Sequence, residues 1–429
     1  MFLTTKLNFN KIEILNLLIC TIPLSLILGN LATNINILLI CLLGLVCFGK
    51  KIFFFHDKKI SFYLLYFFFF YLIIVTFGNN ITKIYQNDLY YDHLIKSILY
   101  LRFLILFLVI NKLAEKREFN TKYFFLSCAF FSLIISLDVV YQFIFKKNIL
   151  GFPITNDRPS SFFGEENIAG NFIQKFILFF IFYYASKIKN TNNVYRFIFI
   201  SSIFFLIIII FTANKMAIII FIFSIISFYL IEKKFKQLLL IFFISSFLLF
   251  SFSKIVISKR LHTDINFFFT ETSNIVRHAP SLFISGKLNP ESKWGTGYLI
   301  HFNTGIQIWK KNKIFGNGLK SFRLKCKYGN NQTCNTHPHN YFIELLVDTG
   351  FIGLLVICLI IFFGLKNFFL FFLKNKTLHA RLTTSVFFLL IFFELFPFRS
   401  TGSFFTTSNS IFIFLMLAII LNVEKIKKL

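Results

Sequence analysis

Residues 326–355 read CKYGNNQTCNTHPHNYFIELLVDTGFIGLL, a polar loop that turns into an apolar run within thirty positions. Pro338 suits the first turn of a helix, where its missing N–H costs little, and Asn335 or Thr336 suits the cap before it. A helix is therefore expected with His339 in its first turn, at a boundary between water and an apolar medium. Apolar runs of this kind recur along all 429 residues, which are 56% hydrophobic and include 68 Phe, with a mean hydropathy of +0.73. No soluble domain has that composition, so an all-α polytopic membrane protein is expected.

Twelve spans are expected, near 12–29, 35–49, 60–78, 94–110, 123–145, 168–186, 197–212, 216–231, 237–253, 341–365, 382–396 and 408–422. The first carries Glu13 and no small-residue cleavage site, so it reads as a span and not as a signal peptide. With the N-terminus inside, the cytoplasmic segments hold 23 of the 45 Lys and Arg, against 6 in the short outer loops. That asymmetry puts both termini in the cytoplasm. It divides the chain into spans one to nine (1–253), one large outer loop (254–340) and spans ten to twelve (341–429).

The large loop carries 13 Lys and Arg against Asp264, Glu271 and Glu291. Long translocated loops escape the positive-inside rule, so this charge needs its own account. It is either a basic solvated domain facing anionic headgroups or a site for a phosphate-bearing substrate. Nucleic acid is excluded by the outward location and the lack of a binding motif. Five cysteines fall in spans, whereas Cys326 and Cys334 share the outer loop. An oxidising compartment favours a disulfide between them, with a zinc pair joined by His337 and His339 as the competitor. In the first turn of span ten, His339 would sit in the positive end of the helix field. It would stay neutral there as a proton acceptor, or would merely hydrogen-bond a headgroup. Glu344 and Asp348 share one face of that span, which points it inward.

The segment GYLIHFNTGIQIWKKNKIFGNGLKSF (297–322), followed by HPHNYFIELLVDTGFIGLL (337–355), resembles the signature of the O-antigen ligase and polymerase superfamily. The matching parts are Trp309, Gly316-Asn317-Gly318, His339-Asn340 and Gly350-Phe351-Ile352-Gly353. RPSSFFGEENIAGNFI (158–173), FTANKMAII (211–219) and FPFRSTGSFFTTSNS (396–410) resemble three further outer loops of that family, over a core of roughly 150–420. Lys215 stands where the family commonly has Arg. An arginine often found before the Trp-containing stretch is absent, and Tyr298 or His301 lies near its place.

The resemblance implies an enzyme of the bacterial inner membrane, a glycosyltransferase working at the periplasmic face. The donor would be a glycan on undecaprenyl pyrophosphate, and the acceptor lipid A–core for a ligase, another lipid-linked repeat for a polymerase, or a protein. His339 would be the base that takes a proton from the acceptor hydroxyl. Arg158, Lys215, Arg277 and Arg399 would hold the pyrophosphate, with Lys293 or Arg260 as substitutes for the absent arginine. Glu166, His337, Asn340 and His301 would support the acceptor side, although Glu165 or Glu166 could equally pair with Arg158. One in-line displacement inverts the anomeric centre and needs neither metal nor cofactor if fixed cations hold the diphosphate. The competing class is a transporter or flippase of lipid-linked sugars, which should show charges along a pathway and broken helices or repeats. The charges within spans (Arg102, Asp138, Lys175, Glu394) read as scattered, which favours the enzyme.

Overall fold

A computed structural model describes residues 10–54, 60–81, 88–154, 158–164, 166–255, 298–326, 335–375, 377–397, 399–400, 402–426. Arg277, Cys334, Glu165, Lys293 and Arg260 lie outside these residues.

Every expected span is helical. The elements are α1 (Lys11–Cys20), α2 (Ile22–Leu28), α3 (Asn30–Phe48), α4 (Ile60–Asn80), α5 (Asp88–Leu99), α6 (Leu101–Glu115), α7 (Thr121–Phe145) and α8 (Ala169–Ala185). They continue with α9 (Thr191–Phe211), α10 (Lys215–Ile231), α11 (Phe235–Ile255), α12 (Tyr298–Lys311), α13 (Phe322–Lys325), α14 (Tyr341–Lys374), α15 (Leu378–Glu394) and α16 (Thr407–Leu421). Six of these stretches are long and apolar enough to cross a membrane, or seven if α1 and α2, bent by 45°, form one span. Asparagine starts many of them. Asn10, Asn120, Asn190, Asn214 and Asn340 each accept a first-turn N–H with the side chain, which satisfies donors that nothing else would in an apolar medium.

Burial separates a central set of helices from a lipid-facing set. Residues 410–421 of α16 are buried on every side, and α8 is nearly so. By contrast α3 exposes Leu38, Leu42 and Val46, and α11 exposes Phe243 and Phe247, as surfaces facing hydrocarbon would. Aromatic rings interlock in the centre, for example Phe125 and Phe179 edge to face at 4.8 Å. At the end assigned to the cytoplasm, Arg381 makes a fork of 2.9 and 2.8 Å to Glu232, which also accepts from Tyr195 at 2.8 Å.

The tenth span departs from the uniform helix read from sequence. α14 runs on to Lys374 but is broken at Gly350, whose φ of 64° and ψ of −166° are not helical. Only its N-terminal part, Tyr341–Thr349, is buried nearly throughout, whereas Phe351 just past the break is exposed. Two conformational preferences collide at the break. The run is apolar enough to continue as one helix, but it holds a glycine where another backbone segment must enter.

Candidate active site

That second segment is the loop from α12 to α13. Phe351 N–H donates to Lys313 O at 2.9 Å, Asn317 N–H to Val347 O at 3.0 Å and Gly318 N–H to Asp348 O at 2.8 Å. A Cβ on Gly316 would lie 2.3 Å from Gly350 N, and one on Gly350 would lie 2.2 Å from Ile314 O. Two glycines are therefore required where the backbones touch. Tyr71 of α4 fastens the joint, its single hydroxyl proton shared between Phe315 O at 3.0 Å and Thr349 O at 3.1 Å. Trp309 donates through Nε1 to Lys313 O at 2.9 Å and so closes the bend after α12. Asp348 completes it by accepting from Lys320 N at 2.7 Å and from Ser321 N and Oγ at 3.0 and 2.8 Å. The glycine pair at 316 and 318 is thus consumed in holding the broken helix.

A small apolar core of Phe302, Ile306, Phe322, Ile343 and Val347, with Cys326, joins α12, α13 and the first half of α14. It carries the histidines. The His301 and His339 rings lie 5.2 Å apart between centroids, and those of His337 and His339 4.2 Å apart at 73°. Three of the expected site residues from separate positions therefore meet. Cys326 is disulfide-bonded, which removes its thiolate from any zinc set; its expected partner, Cys334, is outside the described residues. Its sulfur lies 3.7 Å from Asn335 O, directly beside the histidine loop.

The helix start differs from the sequence expectation. Asn340 is the cap, not Asn335 or Thr336, and its Oδ1 accepts from Phe342 N at 3.0 Å and Ile343 N at 3.1 Å. Pro338 stays outside the helix. His339 precedes the cap in the left-handed region, with φ of 57°. The first-turn N–H groups of the helix end are taken by Asn340 itself. Asn340 also donates through Nδ2 to Pro397 O at 2.7 Å and Arg399 O at 3.2 Å, so it ties the loop between α15 and α16 to the histidines.

The hydrogen bonds fix the ring states. Asn335 Oδ1 accepts from Thr336 N at 2.7 Å, so its amide Nδ2 donates to His339 Nε2 at 2.8 Å. The Nε2 lone pair of His339 is then the acceptor position, already presented to an N–H donor. His337 Nδ1 accepts from His339 N at 3.1 Å, which puts the proton of neutral His337 on Nε2. Burial lowers the pKa of His337 below its ordinary 6.5, helped by neighbouring His301 and then Lys320. Burial alone lowers that of His301, whose Nδ1 is buried without a partner. Both rings favour the neutral form.

The expected cations divide. Asn214, beside Lys215, donates through Nδ2 to Asn167 O at 3.1 Å and so joins the turn before α10 to the loop before α8 that carries Arg158. Glu166 in the same loop is exposed. Arg399 is not a solvated outer-loop cation. It is 5% exposed, and its guanidinium donates to Glu394 Oε2 at 2.5 Å. Glu394 also takes Lys175 Nζ at 2.9 Å and the Tyr341 hydroxyl at 2.8 Å on Oε1. Lys175 and Glu394, which read as scattered charges, are one ion pair. Asp138 likewise has partners, accepting from Ser161 Oγ at 2.6 Å and Ile149 N at 2.9 Å. A lone charge in an apolar run was the available signal for this pairing, since such groups find partners in the bundle. Sequence pattern offered Asn335 only as a helix cap, not as a partner of His339, and did not single out Tyr71.

Residues 200–358 match the family model described as O-antigen ligase, while no curated protein matches the chain. The matched segment holds the Lys215 turn, Trp309, the 316–318 loop, all three clustered histidines and the break at Gly350. The match falls in the O-antigen ligase and polymerase superfamily that the motifs resembled, a group of glycosyltransferase type. Together with the apolar helices it indicates a bacterial membrane protein that handles lipid-linked glycans.

Proposed function

On the premise of that O-antigen ligase segment, we propose that this protein is an inverting glycosyltransferase that moves a glycan from undecaprenyl pyrophosphate to lipid A–core at the periplasmic face. The observation that carries the reading is His339, held outside the α14 cap with its Nε2 presented to a donor and two further histidines against it. In the reaction the acceptor hydroxyl takes the place of the Asn335 amide on Nε2. The hydroxyl oxygen attacks the anomeric carbon, its proton passes to His339, and the bond from that carbon to the diphosphate oxygen breaks. The electron pair leaves with undecaprenyl pyrophosphate, whose charge the outer-loop cations Arg158, Lys215 and Arg277 balance. Attack opposite the leaving group inverts the centre.

The transporter reading loses its main structural support. Broken helices are present, at Thr21 and Gly350, but the break in α14 is filled by residues 313–318 of the protein itself rather than lining a path.

The test is transfer in vitro with purified protein and undecaprenyl-pyrophosphate-linked glycan, offering lipid A–core or further donor as acceptor. Glycan on lipid A–core that falls about 10²–10⁴-fold in His339→Ala supports a ligase with His339 as base. Lengthening of donor-linked chains, lost in the same variant, makes the protein a polymerase. Full activity of His339→Ala refutes the assignment.

A further inference from the structure

Arg102, the second residue of α6, is a charge within a span that the candidate active site does not use. It follows the exposed Ile95, Ile98 and Leu99 at helical spacing along the continuous span Tyr91–Glu115, so it lies on the stripe that faces hydrocarbon. On α3, which packs against α6, Leu31, Ile35 and Leu38 are exposed in the same way. Charges in a span normally point into the bundle and pair there, as Lys175 does with Glu394. Arg102 is placed otherwise. Its guanidinium donates through Nη2 to Thr407 Oγ1 at 3.3 Å, while Nε is buried and meets no acceptor among the described residues. The titratable groups close to it are the Tyr100 phenol and the Cys41 thiol. Glu344 is close to Tyr100 but not to Arg102, so no carboxylate among the described residues balances this charge.

The surroundings favour an anion at the membrane edge. Thr407, the first residue of α16, passes its own proton to Asn34 Oδ1 at 3.3 Å, and Asn34 is the fifth residue of α3. The helices α3, α6 and α16 pack against one another, so Arg102 stands within about 6 Å, measured along α3, of two helix starts. Neither α3 nor α16 has a side-chain cap, and the positive ends of both helices add to the field of the guanidinium. A guanidinium fork matches two oxygens of one phosphate. Beside an exposed apolar stripe, that phosphate is one that brings its own hydrocarbon chains.

We propose that Arg102, Thr407 and the starts of α3 and α16 form a site for the phosphate of an anionic glycerophospholipid, whose acyl chains lie along the exposed residues of α3 and α5. The lipid supplies the counter-charge that the chain does not, and it holds three helix starts together. This site lies on the lipid-facing flank and does not depend on the transferase reading.

The test is lipid binding. Purified, delipidated protein in detergent is titrated with phosphatidylglycerol, followed by native mass spectrometry and by thermal melting, with phosphatidylcholine and inorganic phosphate as separate probes. Phosphatidylglycerol should bind and raise the melting temperature more than either of the other two. Arg102→Met should weaken that binding about tenfold to a hundredfold, the range for one charge-assisted hydrogen bond, and should abolish the thermal shift. Without lipid the same variant should melt no lower than wild type, because it loses an unbalanced charge along with one hydrogen bond. Lys116→Met, which removes an exposed cation just past the other end of α6, should bind as wild type does. Equal phosphatidylglycerol binding by Arg102→Met and wild type, or an equal loss in Lys116→Met, overturns the site and leaves diffuse attraction to anionic lipid. A delipidated Arg102→Met that melts well below wild type also overturns it, and makes Arg102 a structural partner of Thr407. Equal Arg102-dependent protection by phosphatidylcholine overturns the anionic class, and equal protection by inorganic phosphate overturns the lipid.

Discussion

Substitution of Gly350 by alanine should undo the joint that carries the histidines. The residue has φ of 64° and ψ of −166°, a region open essentially only to glycine, so alanine costs about 1–3 kcal/mol in backbone strain alone. Its Cβ would also stand 2.2 Å from Ile314 O and 2.5 Å from Gly316 N, which are backbone atoms and cannot rotate away. The 313–318 loop must then back off. It would loosen the three backbone bonds to α14 and the shared one from Tyr71, each worth about 0.5–1.5 kcal/mol net. Taking the lower end of each contribution gives about 3 kcal/mol, or about a hundredfold in the local opening equilibrium. Hydrogen exchange followed by mass spectrometry reads this directly, as faster exchange in peptides covering 313–326 and 341–349. Gly78→Ala is the control, since a Cβ there meets nothing within 4 Å. Wild-type protection of both peptides in Gly350→Ala would refute the account of the break as a backbone-to-backbone lock.

Three further outcomes follow from the same geometry. Tyr71→Phe deletes the shared hydroxyl bond without a clash, so the same peptides should exchange faster, by about two- to tenfold, with the rest of α4 unchanged. Reduction of the Cys326 disulfide should loosen the Asn335–His339 contact beside it and slow transfer, an effect absent if the loop is held by its other contacts alone. Folding favours neutral His337, whose pKa lies below the ordinary 6.5, so its contribution is present above pH 6.5 and is lost as pH falls below that value. Opening of the 335–340 segment, read from exchange corrected for the intrinsic pH dependence of amide exchange, should therefore increase as pH falls from 7.5 to 5.5, and His337→Gln should flatten that increase.

The sequence by itself determined the helices, because an apolar run in a membrane has only one way to satisfy its backbone, and length and composition suffice to place it. It also singled out His301, His337, His339 and Asn340 through motif order. The sequence did not contain the partners that decide what those residues do. The break at Gly350 depends on Gly316 arriving from another segment, so the apolar run reads as continuous until the two backbones are seen in contact. The helix start moved from Asn335 or Thr336 to Asn340 because that amide also reaches the carbonyls of residues 397 and 399, a long-range bond that outweighs the local preference of Pro338 for a first turn. Arg399 changed from a free outer cation to a paired one because Glu394, five residues before it, takes its guanidinium, while Lys175 reaches the same carboxylate only through the packing of α8 against α15. Tertiary structure decided the charge balance of that group, since charges far apart in the chain neutralise one another only when folding places them within a hydrogen bond.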